Sequence, residues 1–352
     1  MLSPTIKFPS DKKAYDSHKL FPPEDRQALS PADRVFGWVN QKGKGSYKGH
    51  LRIHSVTCMR EDAIDNFGNP DATFPLAILG EPKPQQARFY CADDAAGSPL
   101  TDGSDKEEGY NGNTQGLRGR KVYPHHQGLS QGYWDSPTDD RTQVPLDGHY
   151  QEYRRPQKGE ADGADEVEQL DKQSRSIKGW VKPETIFEFD IDVSNLSPVE
   201  LGALLWLLSS SDILYHRLGC CKPLGFGSAW LDIDWDKTDL RLGTEWKEFY
   251  QSLIPINLKN TPHPVDCVDE YKRAIVAAYG RGKRFDQVSF VAAFCQCGKG
   301  YADNAAVHYP RSTLEPTPEG EAFKWFVANE KEVKLALPSL SDSLPQSLPI
   351  TP

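Results

Sequence analysis

The chain has 352 residues, which is enough for one large elaborated domain or two smaller ones. Its 27 prolines and 28 glycines indicate many loops, and a hydrophobic content of 38% supports only a modest core. The net charge of −9 argues against indiscriminate nucleic-acid binding over the whole surface, although it is compatible with a local basic groove.

No apolar run is long enough to span a membrane, and the first residues lack the apolar core of a signal peptide. We therefore expect a cytoplasmic protein with reduced thiols and no membrane partner. The seven cysteines are scattered and include no CxxC pair, which disfavours a structural zinc site. We expect neither a metal ion nor another cofactor.

Residues 1–33 are rich in Pro, Lys and Asp and show little periodicity, which predicts an extended N-terminal arm. The segment from Arg34 to Arg60 then carries six basic residues and no acid, with aromatic residues between them. Cations that bind phosphates and rings that stack on bases are typical of single-stranded RNA binding. A solvated basic hairpin is the alternative. The candidate RNA contacts in this segment are Lys42, Lys44, Tyr47, Lys48 and Arg52.

Short strands are predicted at Phe74–Leu79 and Ala87–Cys91. Residues 101–171 then hold 15 acidic residues against 8 Lys and Arg, which predicts a loop insertion from about residue 94 to 173 that is partly disordered. Within it, the stretch Leu117–His126 is basic and free of acids. Its candidate RNA contacts are Arg118, Arg120 and Lys121.

The same stretch ends in His125 and His126, and a histidine there could act as general acid or base in RNA cleavage. We favour RNA contact over catalysis because no second catalytic partner is visible beside the pair. An exposed strand edge without either function is the third interpretation.

Alternating apolar residues predict a half-buried strand at Thr185–Val193. Ser197–Glu200 then combines an N-cap serine, a proline and a capping-box glutamate, which together begin a helix. The residues Leu201–Leu208 are apolar nearly all round, so we expect this helix to be buried. A second alternating strand is predicted at Ala229–Trp235, with its aspartates on the wet face.

A glycine-rich loop lies between this helix and the second strand. It holds Gly219, Gly225 and Gly227, with Lys222 as its lysine and no acid. Glycines let a ligand approach backbone N–H groups closely, and such groups together with a cation suit a phosphate or a nucleic-acid backbone. A kinked turn with a structural purpose alone is the alternative interpretation.

Helices are predicted at Glu245–Leu253, Cys267–Tyr279, Phe290–Cys295 and Glu319–Asn329. Arg281–Arg284 forms a further basic cluster. We therefore divide the chain into a core at 34–243, a helical C-terminal part at 244–336 and a flexible tail at 337–352.

The loop from Gly219 to Ser228 resembles the G-x-G-K-P-L-G-x-G-S loop of the RAMP superfamily, with one additional residue before the lysine. These proteins are the RNA-binding subunits of CRISPR effector complexes. The segment from Arg34 to Ile53 resembles the L-F-G and G-S-x-K-G-x-L-R segment of type III RAMP proteins, and Arg118–His126 resembles part of one larger RAMP family. The resemblance implies an α+β protein with a ferredoxin-like (RRM-like) core, long loop insertions and extra C-terminal helices.

The resemblance runs from about Arg34 to Arg311 with long gaps, and it matches the C-terminal part of the larger family. The opening strand of such proteins, with its aspartate-bearing loop and first G-S-S-x-K-G segment, is not recognisable here. We therefore expect that a separate chain carries that half or that this subunit dispenses with it. Both cases weaken a nuclease assignment.

These observations favour a non-catalytic RNA-binding subunit of a type III-like CRISPR ribonucleoprotein in antiviral defence. Its expected partners are the guide RNA, the target RNA and the other subunits of the effector complex. One alternative is a metal-independent endoribonuclease that processes CRISPR repeat RNA with His125 or His126. Another is a structural adaptor that binds only neighbouring subunits.

Overall fold

The computed structural model describes residues 23, 25–41, 43–68, 73–81, 83, 85–94, 97–111, 116–118, 122–135, 147–156, 175–209, 215–254, 263–318, 322–340 and 348–350. These residues form both helices and short antiparallel strands, with runs of strands in the first part and helices at the end, which is compatible with the expected α+β class. None of the helices within these ranges combines the length and the apolar character needed to cross a bilayer.

The strands are short, and in the described residues they pair two at a time. In chain order they are β1 (Trp38–Val39), β2 (Ser46–Tyr47), β3 (Leu51–Ile53), β4 (Thr57–Cys58), β5 (Ile64–Asp65), β6 (Phe74–Leu76), β7 (Cys91–Ala92), β8 (Gly116–Leu117), β9 (Arg175–Ile177), β10 (Trp180–Val181), β11 (Phe187–Glu188), β12 (Ile191–Val193), β13 (His216–Arg217) and β14 (Ser228–Ala229).

The first three α-helices of the described chain are only four to six residues long. In chain order the α-helices are α1 (Pro31–Phe36), α2 (Ala87–Tyr90), α3 (Lys106–Asn111), α4 (Pro198–Leu208), α5 (Gly243–Ser252), α6 (Pro264–Tyr279), α7 (Ser289–Lys299) and α8 (Ala322–Ala328). Short 3₁₀ turns occur at Arg26–Ala28, Lys222–Leu224 and Phe285–Gln287, and a π-helical turn at Asn329–Val333 follows α8.

A long antiparallel ribbon runs through the middle of the chain, because β3, β4, β5 and β6 pair in turn with β12, β11, β10 and β9. The predicted continuous strand at Thr185–Val193 is therefore two strands with a break at residues 189–190. Its expected apolar face is only partly covered, and Phe187 keeps 45% of its surface exposed. The residues Thr185–Val193 thus form paired strands, as the alternating pattern predicts, while their apolar face stays partly exposed.

Helix α4 begins as the sequence predicts. The Ser197 hydroxyl accepts from the Glu200 amide at 3.3 Å, and the Glu200 carboxylate accepts from the Ser197 amide at 2.9 Å. Leu201 and Leu205 are buried, but Leu207 is partly exposed, so the helix is not buried all round. It packs closely on α6, where a Cβ at Gly202 would overlap a backbone carbonyl.

The main core is aromatic, and part of it comes from the stretch predicted as a loose acidic insertion. Tyr133 and Tyr153 from that stretch are buried against Phe74 and Leu76 of β6 and against Leu224 of the glycine-rich loop. Both tyrosines lie in loops, as the sequence predicts, but these loops are packed into the core. The tyrosine rings bury enough apolar surface to order a segment whose overall composition is polar.

Two predicted strands differ from the structure. Ala87–Cys91 is helical as far as Tyr90, and the fully buried Arg88 there donates to the Ser104 carbonyl and pairs with Glu330 at 2.9 Å. The strand expected at Ala229–Trp235 stops at Ala229. Its continuation turns instead, because the Asp234 side chain accepts from backbone amides two and three residues ahead.

The ends of the described chain are more ordered than expected. Residues 25–33 are not extended, since they contain a 3₁₀ turn and the capped start of α1. The C-terminal helices are present, and Ala322–Ala328 lies within the last of those predicted. In the tail, Arg118 donates to the carbonyls of Leu337 and Pro338, and Trp325 donates to Pro349 at 2.8 Å.

Candidate nucleic-acid interface

The glycine-rich loop joins the two strands of the hairpin β13–β14, and the Leu218 amide closes it by donating to the Gly227 carbonyl at 2.7 Å. Gly225 and Gly227 have φ angles of +91° and +82°. A Cβ on Gly225 would overlap the His126 ring, and one on Gly227 would overlap the Leu218 carbonyl. Both glycines are therefore required by the packing of the loop itself, whatever the loop binds.

One side of the loop is anchored in the core and the other faces outward. Leu224 is buried, and the Phe226 ring lies 5.0 Å from that of Trp134. Gly219 is exposed, and a Cβ there would meet no atom within 4 Å. Lys222 is half-buried, and its amine forms no ion pair with any residue that the structure describes. The loop thus offers open backbone beside an uncompensated cation.

Arg217, at the base of the loop, holds a second uncompensated charge. Its guanidinium donates to the Ser228 hydroxyl and, at 3.2 Å, to the Lys222 carbonyl. The Nε atom is buried without a hydrogen-bond partner, and within the described residues no carboxylate pairs with the guanidinium. Burial lowers the pKa of Arg217. A partly buried arginine held only by neutral acceptors is costly, and a bound anion would offset that cost.

His125 lies against the same hairpin. Its Nδ1 is 2.8 Å from the Ser228 hydroxyl, and its ring stacks on Tyr215 with centroids 4.2 Å apart. The His125 amide donates to the Cys297 carbonyl at 2.8 Å, which fixes the segment to the end of α7. The Ser228 hydroxyl thus contacts both the Arg217 guanidinium and the His125 ring. His125 therefore helps to position the hydroxyl that holds the arginine.

Both histidines are neutral at pH 7. Burial and the neighbouring Arg217 lower the pKa of His125 to about 4 and that of His126 to about 3. His126 is buried, and its ring is 5.6 Å from that of His125 and packed against Gly225. The positive charge of the site therefore comes from Arg217 and Lys222. A neutral histidine at pH 7 is a poor general acid.

The basic segment 34–60 lies on the long ribbon and the adjoining hairpin. Lys44, Lys48 and Arg52 are exposed, and among the described residues none of them has an ion-pair partner. Tyr47 is half-buried, with its hydroxyl 3.2 Å from a ring nitrogen of His50. The outer arginines of the segment are paired, Arg34 with Glu200 and Arg60 with Asp62. Lys42 lies outside the described residues.

Of the three candidate RNA contacts before the histidines, one lies within the described residues. Arg118 is committed to the carbonyls of the C-terminal tail, and burial lowers its pKa. This placement argues against Arg118 as a phosphate contact. Arg120 and Lys121 lie outside the described residues.

Sequence reasoning missed Arg217 and its neighbours. The signal that could have found them is a pair of short runs, Tyr215-His216-Arg217 directly before the loop and Ser228-Ala229-Trp230 directly after it. Two such runs around a glycine-rich loop predict a hairpin, whose cross-strand partners then follow from the register. The histidine contact has no local signal, since His125 and Ser228 are 103 residues apart.

Within the described ranges, no group of three or more His, Cys, Asp or Glu side chains is placed to hold a metal ion. Every one of the seven cysteines is a free thiol. What the site does contain is a pair of cations, exposed glycine backbone and aromatic rings.

The sequence matches no protein-family model and no curated protein. Its function is therefore inferred from the geometry of the site and from the motif resemblance.

Proposed function

We propose that this chain is a cytoplasmic RNA-binding subunit of a type III-like CRISPR ribonucleoprotein, and that the glycine-rich loop contacts the backbone of the guide RNA. The observation that carries the proposal is the pair of unpaired cations, Arg217 and Lys222, beside the exposed backbone of Gly219. A phosphate diester would supply the missing counter-charge. The RAMP-like order of lysine, proline and glycines in the loop supports RNA as the polyanion.

The two cations differ in the contact they can make. The Arg217 guanidinium is held in a fixed plane by Ser228 and by a backbone carbonyl, so it suits a directed contact with one phosphate. Lys222 has a flexible stem and suits a point-charge contact with a neighbouring phosphate. Such contacts position the strand but do not read its sequence, which in this proposal is read by base pairing with the target RNA.

The basic segment would extend the RNA path. Lys44, Lys48 and Arg52 are exposed; Lys44 and Lys48 flank β2 and Arg52 lies in β3, so they could form a series of cations along a nucleic-acid backbone. We also propose that the described hairpins and α4 belong to a ferredoxin-like core. The strand–helix–hairpin order from β12 to β14 supports this proposal. The remaining subunits of the complex are expected partners on the same ground of resemblance.

The endoribonuclease alternative has less support from the geometry. His126 is buried beneath Gly225, and the Nδ1 atom of His125 is already hydrogen-bonded to Ser228. With pKa values of about 3 and about 4, neither can serve as the general acid that RNA cleavage requires at pH 7. Both histidines fit a positioning role better.

The direct test measures binding of a labelled single-stranded RNA of about 12 nucleotides by fluorescence anisotropy. Lys222→Glu is expected to weaken binding about tenfold, and Lys48→Glu less than that, because Lys48 is more exposed and more screened. Each change should also reduce the salt slope of the logarithm of affinity by about 0.7 for every phosphate that the protein no longer neutralises.

Lys247→Glu is the matched control. Lys247 is an exposed lysine on α5 that, within the described chain, forms no ion pair, so its reversal changes net charge equally without touching the site. Equal weakening by all three reversals would mean that only net charge matters. Unchanged binding in both Lys222→Glu and Lys48→Glu would refute the proposal.

A further inference from the structure

A concave surface lies next to the hairpin. It is a groove of about 700 Å³ between the C-terminal end of α4, the start of α6 and the chain that follows β14. Two indoles, Trp230 and Trp235, line it and keep 54% and 38% of their surfaces exposed. Together with Leu205, Leu231 and Val268 they form a contiguous apolar lining of the kind that marks binding sites.

The register of the hairpin connects this groove to the glycine-rich loop. The ladder pairs Arg217 with Ser228 and ends with His216 opposite Ala229. Tyr215 and Trp230 are the next residues beyond that last pair, and their rings are 6.1 Å apart. Tyr215 also stacks on His125, whose Nδ1 contacts the Ser228 hydroxyl that accepts from Arg217. Through these contacts Trp230 lies on the side of the hairpin that carries the Arg217 guanidinium.

The polar groups of the groove indicate what can enter it. Asp232 and Asp269 line it, and neither has an ion-pair partner among the residues described. The Lys272 amine, also in the lining, lies 5.8 Å above the Phe285 ring. Two carboxylates repel a phosphate, but they accept hydrogen bonds from the amino groups of cytosine, adenine or guanine. The indoles provide the flat apolar surfaces on which a base stacks.

We propose that this groove binds an unpaired nucleobase of the RNA whose backbone lies on the glycine-rich loop. The inference rests on the proposed function, and it adds a stacking site that the motif resemblance does not include. The phosphate stays at Arg217 and Lys222, while the base turns past Tyr215 onto Trp230, with its amino group towards Asp269. Continuity with the cationic loop favours a base over a partner protein's basic side chain, which the same two carboxylates could also accept.

The test compares three short RNAs of about 12 nucleotides: oligocytidine, oligouridine and an abasic ribose-phosphate chain. The parent protein should bind oligocytidine about tenfold more tightly than the abasic chain, because stacking adds to phosphate binding. Trp230→Ala should remove most of that difference and leave abasic binding unchanged. Asp269→Asn should remove the preference for cytidine over uridine, because uridine has a carbonyl oxygen where cytidine carries the amino group.

Trp246→Ala serves as the control, since Trp246 is an equally exposed tryptophan on α5, at 45%, and does not line the groove. The Trp230 side chain is more than half exposed, so its removal is expected to leave thermal unfolding unchanged, and circular dichroism checks this. Equal affinity of the parent for oligocytidine and the abasic chain overturns the inference while leaving backbone binding intact.

Two further outcomes separate the two proposals. A parent protein that binds none of the RNAs, yet shows Trp230-dependent binding of cytidine monophosphate by calorimetry, would refute the proposed function and retain the base-binding groove. Trp230-dependent binding of an arginine-rich peptide, without any dependence on the nucleobase, would overturn the inference and assign the groove to a protein partner.

Discussion

The glycine-rich loop and the basic segment 34–60 are both cationic, but they hold their charges differently. In the loop, Arg217 is desolvated and fixed by a hydroxyl and a carbonyl. In the segment, Lys44, Lys48 and Arg52 stand in solvent. A desolvated charge interacts strongly with one partner at close range, whereas exposed charges attract a polyanion weakly and are screened by salt. The loop can therefore fix where a strand lies, and the segment can add attraction.

The largest expected effect is on stability, from replacing a tightly packed glycine of the loop. Gly225→Ala meets the His126 ring at a φ of +91°, whereas Gly219→Ala meets no atom within 4 Å at a φ of +72°. We expect Gly225→Ala to lower the free energy of unfolding by about 3 kcal/mol or more, and Gly219→Ala by about 1 kcal/mol. Urea unfolding of the two variants measures this difference. Equal decreases would show that the backbone angle, not the packing, requires the glycine.

The next largest effect is expected on stability at low pH. His125 is neutral in the folded state because its pKa is lowered to about 4, below the value near 6.5 of the unfolded chain. Between these values the unfolded chain binds the extra proton, so stability is present above about pH 6.5 and falls as the pH drops. His125→Asn keeps an acceptor for Ser228 but does not titrate. From about pH 7 to about pH 4.5 the variant should lose about 2 kcal/mol less than the parent.

Denaturant titrations at both pH values provide that comparison. His50→Asn is the control, because His50 belongs to the exposed segment and makes longer contacts, at 3.2 and 3.5 Å. If the parent and His125→Asn lose stability in parallel, the histidine is not held neutral by the loop, and its proposed link to Arg217 fails.

The third effect compares the two kinds of arginine directly. Arg217→Met removes the partly buried charge, and Arg52→Met removes an exposed one. We expect the first to weaken RNA binding about tenfold and the second about threefold, with the smaller effect disappearing at high salt. Anisotropy at about 50 and about 200 mM salt measures both. A larger effect from Arg52→Met would reverse the division of roles between loop and segment.

The local elements of the fold could be predicted because their information is contiguous. Ser197 and Glu200 cap α4 within four residues of sequence, and the helical spacing of α6 and α7 is visible directly. The glycines of the loop were found for the same reason. What spacing could not indicate was that Gly225 is needed for packing against a histidine far away in the sequence.

The acidic stretch shows what its composition could not indicate, namely that some of its side chains are buried in the core. Its average is polar, but folding depends on which few side chains reach the core, and Tyr133 and Tyr153 do so. The helix at Ala87–Tyr90 is a similar case, since the contacts of Arg88 with Ser104 and Glu330 decide its conformation. Contacts between residues that are far apart in the sequence produce no periodic pattern in it.

The sequence by itself determined the capped helix α4, the glycines that shape the following turn and the concentration of cations before residue 60, because each depends on neighbours only a few residues away. Tertiary structure alone decided that Arg217, Ser228 and His125 meet beneath that turn and that Trp230 lies on the same side of the hairpin. The reason is physical: a hairpin register and a contact spanning 103 residues are set by burial, and burial is a property of the folded chain.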